Sequence, residues 1–118
     1  MTTKRILCIG GSGQLGRYVT KTLQPYLITN IDYNHCENSK INILLKKNLS
    51  TSENNKEVIA KLKNNHSSIK YDSIIVTAGG WTQGSIKDDD YLTKTNNMID
   101  VNLIPSLLGA HLATKYLS

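Results

Sequence analysis

The sequence lacks the features that mark membrane and secreted proteins. No apolar run approaches the roughly 20 residues that a membrane-spanning helix needs. The charged start, with Lys4 and Arg5, leads quickly into glycines rather than into the apolar core of a signal peptide. Cys8 and Cys36 are the two cysteines, and we expect both to remain free thiols in a reducing compartment. These absences predict a cytoplasmic protein that does not contact a membrane.

Nucleic-acid and metal sites also find little support in the sequence. The formal net charge is +5, but the lysines are scattered among asparagines and acids, with no basic helix or arginine stripe. We therefore expect a solvated, lysine-rich surface and no nucleic-acid partner. His35, His66 and His111 lack the spacing of metal ligands, and no thiol or carboxylate cluster accompanies them. The sequence predicts no metal site.

What the sequence does contain is an alternation of strand and helix patterns within a single domain, residues 1–118. Short apolar runs predict strands, and apolar residues four apart, such as Leu15, Val19 and Leu23, predict helices. The predicted strands cover residues 5–9, 26–31, 41–45 and 71–77. The predicted helices cover residues 14–23, about 51–64 behind a capping box of Ser50 and Glu53, a short segment near residue 90, and about 97–117.

Such alternation predicts an α/β fold, a Rossmann-type doubly wound parallel sheet with helices on both faces. Right-handed crossovers then give the strand order 3-2-1-4. The last helix is apolar on nearly all sides, which predicts burial on more than one side. Pro105 lies inside that helix and cannot bond the carbonyl of Val101, so we expect a kink there.

The run Gly11-Ser12-Gly13-Gln14-Leu15-Gly16 matches G-x-G-x-x-G and lies between the first predicted strand and the first predicted helix. That context gives the pattern its physical meaning. Gly11 permits a tight turn, Gly13 lets the backbone approach a pyrophosphate, and Gly16 lets the helix pack on the strand. The free N–H groups at the helix start would face the diphosphate. The motif predicts a dinucleotide site.

An acid and a second glycine turn complete the predicted site. Asp32 follows the second strand, where a carboxylate accepts hydrogen bonds from the adenosine ribose and repels a 2′-phosphate. This favours NADH, with NADPH less favoured. Ala78, Gly79 and Gly80 end the fourth strand, which the strand order places beside the first strand, so both glycine turns should border one crevice.

Together with Asn102, these residues resemble the short-chain dehydrogenase/reductase superfamily. The stretches Ala78-Gly79-Gly80-Trp81, Met98-Ile99-Asp100 and His111-Leu112-Ala113-Thr114-Lys115 are most similar to the dihydropteridine reductases, which use NADH to reduce quinonoid dihydropterins. The resemblance implies a homodimer whose last helix lies at the dimer interface, and a small-molecule substrate, a pterin. The roles that it implies are NADH binding by Gly10, Gly11, Ser12, Gly13, Gln14, Leu15, Gly16 and Asp32, cover of the adenosine by Ala78, Gly79 and Gly80, substrate binding by Trp81, and a water held by the backbone carbonyl of Asn102 in the proton relay.

The superfamily's Y-x-x-x-K proton-donor pair does not occur in the sequence: Tyr18 and Lys21 are three residues apart, as are Tyr91 and Lys94. The resemblance implies that a fifth strand and the Tyr/Lys helix would follow Ser118. We therefore expect residues 1–118 alone to have negligible reductase turnover, the fourth strand to be an uncovered edge, and the last helix to lack its cover. An atypical short-chain reductase of another carbonyl or imine, and a non-catalytic dinucleotide-binding sensor module, remain alternatives.

Overall fold

Short strands and helices alternate along the chain, as the apolar pattern predicts. A computed structural model describes residues 3–118. Its elements are β1 (Arg5–Ile9), α1 (Gln14–Thr22), β2 (Leu27–Asp32), β3 (Ile41–Leu44), α2 (Thr51–Asn65), β4 (Ser73–Val76), α3 (Tyr91–Met98), a π-helical turn (Ile99–Leu103) and α4 (Ile104–Tyr116). No helix within the described residues is both long and apolar enough to cross a bilayer.

The strands form one parallel sheet in the order β3-β2-β1-β4, so the predicted fold class and strand order are confirmed. Ile9 of β1 is paired with Ile31 of β2 on one side and with Val76 of β4 on the other. The three strands therefore end at the same level. As a result, the glycine loop after β1, Asp32 at the end of β2 and the Ala78 turn after β4 all emerge at one edge of the sheet.

Both faces of the two central strands are buried, because helices cover the sheet on each side. Leu7, Ile9 and Ile31 pack in the larger core cluster, which also contains Leu62 of α2 and Leu112 of α4. Ile6, Cys8 and Ile28 point to the other face and form a smaller cluster. The glycine loop and Asp32 thus follow directly from the two buried central strands.

Helices α1 and α2 form where the sequence predicts them. In α1, Gly16 and Thr20 are buried, whereas Leu15 is 61% exposed. Gly16 gives α1 its closest approach to the backbone of the preceding loop. The capping box of α2 is confirmed: the Glu53 N–H donates to the Ser50 side chain at 3.1 Å, and the Ser50 N–H donates to the Glu53 carboxylate at 3.4 Å.

The last predicted helix differs most from expectation. Helical structure begins at Tyr91, and a π-helical turn separates α3 from α4. Pro105 has no N–H to donate to the carbonyl four residues back, and the N–H of Ile104 instead donates to the carbonyl of Ile99, five residues back. The expected kink near Val101 therefore takes the form of this wider turn.

Burial of α4 on more than one side, predicted from its composition, is wrong for the described chain. Leu108, Gly109, Leu112 and Tyr116 form a single buried side, and Leu107 is 54% exposed. Helix α4 packs on β4 and α2 and shares the larger core cluster with Ile9 of β1, and β4 is the last strand on its side of the sheet within residues 3–118.

Candidate functional site

A cleft of about 360 Å³ opens at the carboxyl edge of the sheet, between the loops after β1, β2 and β4. The start of α2 and the π-helical turn flank it. Its volume lies in the range of roughly 300–1,000 Å³ that is usual for small-molecule sites. Its polar and small lining residues include Ser12, Gly13, Asp32, Thr51, Asn55 and Gly79.

Two glycines of the loop after β1 are required by close backbone packing. Gly10 has a φ of +95°, and a Cβ on this residue would overlap the backbone of Ala78. A Cβ on Gly16 would overlap the carbonyl oxygen of Gly10 and the backbone of Gly11. These two residues bring β1, α1 and the loop after β4 into direct backbone contact.

Gly13 differs from its neighbours because nothing within residues 3–118 requires a glycine there. Its φ of −74° suits any residue, and the nearest atom to an added Cβ would be the carbonyl oxygen of Gly10, at an ordinary 3.5 Å. Gly13 lines the cleft and is the N-cap of α1, with no side-chain cap and no acid in the first helical turn. The first N–H groups of α1 and its positive dipole end are thus available to an anion.

Asp32 lies beside this helix start, as the sequence predicts. One oxygen of its carboxylate accepts a hydrogen bond from the Ser12 N–H at 2.9 Å, and the other accepts one from the Tyr33 N–H at 2.6 Å. Each carboxylate oxygen can accept a second hydrogen bond, so Asp32 can also hold hydroxyl groups of a ligand in the cleft. Among the described residues that line the cleft, Asp32 and Asp100 carry a negative charge and none is a lysine or arginine.

Asn102 lies in the π-helical turn and binds the loop after β4. Its side-chain oxygen accepts from the Gly80 N–H at 3.1 Å, and its amide nitrogen donates to the Gly80 carbonyl at 2.9 Å. A Cβ on Gly79 would approach the Asn102 side-chain oxygen to 2.9 Å. The side chain therefore fixes the path of this loop beside the cleft, while the role of the Asn102 backbone carbonyl stays a prediction.

The predicted cofactor residues divide into two groups. The residues that line the cleft are Gly10, Ser12, Gly13, Asp32, Ala78 and Gly79. Those that do not line it are Gly11, Gln14, Leu15, Gly16 and Gly80. Gly11 and Gly16 are buried beneath the loop, whereas Gln14 and Leu15 lie on the exposed side of α1. The G-x-G-x-x-G pattern thus combines residues that border the cleft with residues that shape the loop from below.

Trp81, predicted to bind substrate, follows the Gly80 turn and is 81% exposed. It does not line the cleft, and its role stays a prediction. Lys94 is paired with Asp88 at 3.6 Å and with Asp90 at 3.3 Å, so its ammonium group is held within its own loop and helix rather than at the cleft.

One buried polar side chain was missed by the sequence reasoning. Asn30, in the middle of β2, is completely buried and accepts a hydrogen bond from the Gly11 N–H at 2.8 Å. The available signal was a carboxamide within the otherwise apolar or β-branched run at residues 27–31. Cys8 and Cys36 are free and buried, and burial raises the pKa of the Cys8 thiol to about 11, which leaves it protonated and unreactive at neutral pH.

Comparison with known proteins finds a curated relative and solved structures with the same fold. No family model matches the chain. It is 36% identical to a dihydropteridine reductase of Dictyostelium discoideum over an alignment of 118 positions, which covers 98% of this chain and 49% of that protein. Thus the chain spans about half the length of this curated relative.

Solved structures show the same fold. A short-chain dehydrogenase family protein from Francisella tularensis superposes with a TM-score of 0.79 at 24% identity, over 99% of this chain and 48% of that protein. A Leptospira borgpetersenii short-chain dehydrogenase with bound NAD+ gives a TM-score of 0.66 at 22% identity, over 94% of this chain and 44% of that one. Nearly the whole length of this chain is therefore similar to about half of a dihydropteridine reductase, and its fold is that of solved short-chain dehydrogenases.

Proposed function

We propose that this chain is the dinucleotide-binding part of an NADH-dependent oxidoreductase that reduces a quinonoid dihydropterin to its tetrahydro form. The observation that carries the proposal is the Asp32 carboxylate, which accepts from the Ser12 N–H at 2.9 Å in the loop just before α1 and lines the cleft. The identity of 36% with a dihydropteridine reductase supports the substrate class. Two neighbours with solved structures, one described as an NADH-dependent reductase, contain NAD and support the cofactor.

In this proposal the dinucleotide lies along the carboxyl edge of the sheet. Its diphosphate accepts hydrogen bonds from the first N–H groups of α1, and the absent side chain of Gly13 leaves room for it to approach. The Asp32 carboxylate accepts hydrogen bonds from the adenosine ribose hydroxyls. Ala78 and Gly79 border the opposite side of the cleft, where small residues allow close contact with the backbone.

NADH rather than NADPH follows from the charges around the cleft. A 2′-phosphate on the adenosine ribose would lie against the Asp32 carboxylate and would be repelled. Recognition of that phosphate usually relies on an arginine, and the described residues that line the cleft include neither lysine nor arginine. Asp100 also lines the cleft, but it lies in the π-helical turn rather than beside Asp32.

When bound, the nicotinamide supplies the hydride, and the chain's own residues bind and orient the dinucleotide. The Asn102 side chain holds the Gly80 turn, which leads directly to Trp81. We propose that Trp81 contacts the flat pterin ring at the open side of the cleft.

Calorimetric titration of the 118-residue chain with NADH and NADPH tests this function. We expect NADH to bind more tightly than NADPH. The substitution Asp32→Ser should weaken NADH binding about tenfold or more, a loss of ~1.4 kcal/mol, and should reduce the difference in affinity between NADH and NADPH. Asp100→Asn, in the π-helical turn, is the matched control and should retain the preference for NADH. Tighter binding of NADPH, or no heat from NADH with folded protein, would refute the proposal.

The pterin is tested separately with the same complex. Trp81 is the single tryptophan of the chain, so its fluorescence reports on this position alone. A tetrahydropterin added to the NADH complex should quench it saturably. If NADH binds but the pterin leaves Trp81 fluorescence unchanged, the dinucleotide site is supported and the proposed pterin substrate is refuted.

A further inference from the structure

Strand β2 carries one carboxamide that neither the glycine motif nor the Asp32 position explains. Asn30 has no exposed surface and lies directly beneath the glycine loop. A buried amide costs free energy unless its polar atoms are hydrogen-bonded. An apolar side chain of similar size could fill the same space in the core, so the contacts of Asn30 carry the reason for its presence.

All these contacts point toward the site loop or toward the turn beside it. The side-chain oxygen of Asn30 accepts from the Gly11 N–H at 2.8 Å. Its amide nitrogen donates to the Ser12 hydroxyl at 3.0 Å and to the side-chain oxygen of Asn42 at 3.3 Å. Both N–H donors and the oxygen of this amide are thus in use. A Cβ on Gly11 would overlap this oxygen, so a side chain at position 11 would clash with Asn30.

The network continues from Asn42 into the loop between β2 and β3. The Asn42 side-chain oxygen accepts from the Cys36 N–H and from the Ser39 hydroxyl, both at 2.9 Å. On the other side, the Ser12 hydroxyl that receives the Asn30 amide itself donates to the carbonyl of Asn34. The glycine loop and the loop after β2 are therefore joined through one buried amide.

We propose that Asn30 is a positioning residue for the diphosphate of the dinucleotide. By fixing the Gly11 amide and the Ser12 hydroxyl, it sets the path of the glycine loop that leads into α1. That path places the Ser12 N–H on Asp32 and leaves the first N–H groups of α1 at the cleft. The inference rests on the proposed dinucleotide site for its ligand, but the loop-fixing role is a property of the free chain.

Hydrogen exchange in the ligand-free chain tests the loop-fixing role directly. In Asn30→Leu, which keeps the volume and removes the hydrogen bonds, we expect the Gly11 amide to exchange at least about tenfold faster relative to the amides of β1. The matched control is Thr29→Val on the same strand, because Thr29 accepts a hydrogen bond from the buried Tyr71 hydroxyl at 2.9 Å on the other face. It should lower global stability without changing this ratio.

Binding of ligand fragments tests the consequence. Adenosine contacts the Asp32 side of the cleft only, whereas ADP also carries the diphosphate. We expect Asn30→Leu to weaken the affinity for ADP about tenfold, while the affinity for adenosine stays within about twofold of the wild type. The additional affinity that the diphosphate gives ADP over adenosine would then be lost. Thr29→Val should leave both affinities unchanged. Asn30→Ser, which shortens the polar side chain, serves as the second variant if Asn30→Leu does not fold.

The possible results separate this inference from the proposed function. An unchanged Gly11 exchange ratio, or an equal loss of adenosine and ADP affinity in Asn30→Leu, would overturn the role of Asn30. If the folded wild-type chain binds neither adenosine nor ADP, the proposed function fails, and the exchange ratio alone decides whether Asn30 fixes the loop.

Discussion

At the scale of single residues, the three glycines of the G-x-G-x-x-G motif are glycines for different physical reasons.

 Gly16 is required because a Cβ would overlap the backbone of the preceding loop, and Gly11 is required because a Cβ would overlap the Asn30 side chain. Gly13 has room for a side chain and an ordinary φ, so its requirement comes from whatever enters the cleft. The same substitution at two positions therefore separates folding from binding.

We expect Gly13→Ala to fold with a free energy of unfolding within about 1 kcal/mol of the wild type, because the gain from a stiffer unfolded chain offsets a weaker N-cap. NADH affinity should nevertheless fall about tenfold, since the new methyl group occupies the approach of the diphosphate. Urea denaturation and calorimetry measure the two quantities.

Gly16→Ala is the matched control for that variant, with the same added methyl group three residues further along. Its Cβ would overlap the carbonyl oxygen of Gly10, so the free energy of unfolding should fall by about 2 kcal/mol or more. Unchanged NADH binding by a stable Gly13→Ala chain would show that the diphosphate does not approach Gly13.

Asp32 and Asn30 show how far sequence reasoning reaches at this scale. Asp32 could be predicted because its role depends on its position at the end of the second strand, which the apolar pattern reveals. Asn30 could not, because its partners Gly11 and Ser12 are 19 and 18 residues away, and only the register of β1 against β2 brings them together. Such contacts depend on distances that a linear pattern does not encode.

At the scale of elements, the strand order and the parallel sheet were predictable because strand and helix patterns alternate and crossovers are right-handed. The ends of the elements were less predictable. The fourth strand was predicted over residues 71–77 but covers Ser73–Val76, because the buried Tyr71 forms an isolated bridge with Leu117 instead of joining the sheet ladder. Pro105 predicted a kink but not its π-helical form, in which the Ile104 N–H donates to the carbonyl of Ile99.

The capping box of α2 gives a prediction for a whole element. Ser50→Ala removes the acceptor of the Glu53 N–H, so we expect the free energy of unfolding to fall by about 1 kcal/mol. Glu53→Ala should cost less, because the return bond to the Ser50 N–H is longer at 3.4 Å. Urea denaturation midpoints measure both variants.

Ser52→Ala provides the control for the capping box, since Ser52 is an exposed residue in the first turn of the same helix. Its effect should stay within about 0.5 kcal/mol. Equal destabilisation by Ser50→Ala and Ser52→Ala would mean that the cap does not hold the start of α2, which borders the cleft through Thr51.

At the scale of the whole molecule, the described chain leaves apolar side chains uncovered along its last helical segment. Ile99, Leu103 and Leu107 are spaced four residues apart, and all three are exposed. Composition alone predicted that this segment would be buried on more than one side, but within residues 3–118 a single side of α4 is buried. Sequence reasoning identified the apolar surface correctly and could not identify which parts of the chain would cover it.

This surface predicts that the 118-residue chain self-associates, because exposed apolar residues in a row favour contact with another apolar surface. Sedimentation velocity over increasing protein concentration should show a rising weight-average mass. The double substitution Leu103→Gln and Leu107→Gln, at side chains 50% and 54% exposed, should return the chain toward a monomer. Tyr18→Gln is the matched control, since Tyr18 is 71% exposed on α1, away from this row.

Comparing the double substitution with Tyr18→Gln distinguishes a specific contact surface from non-specific hydrophobic association. If Tyr18→Gln lowers association as much as the double substitution does, the apolar row is not the contact. If the wild-type chain stays monomeric at all concentrations, its exposed leucines are tolerated singly, as scattered apolar residues are on many monomers. Association that depends on Leu103 and Leu107 alone would mean that one side of α4 supplies the contact, since the opposite side is already buried on β4 and α2.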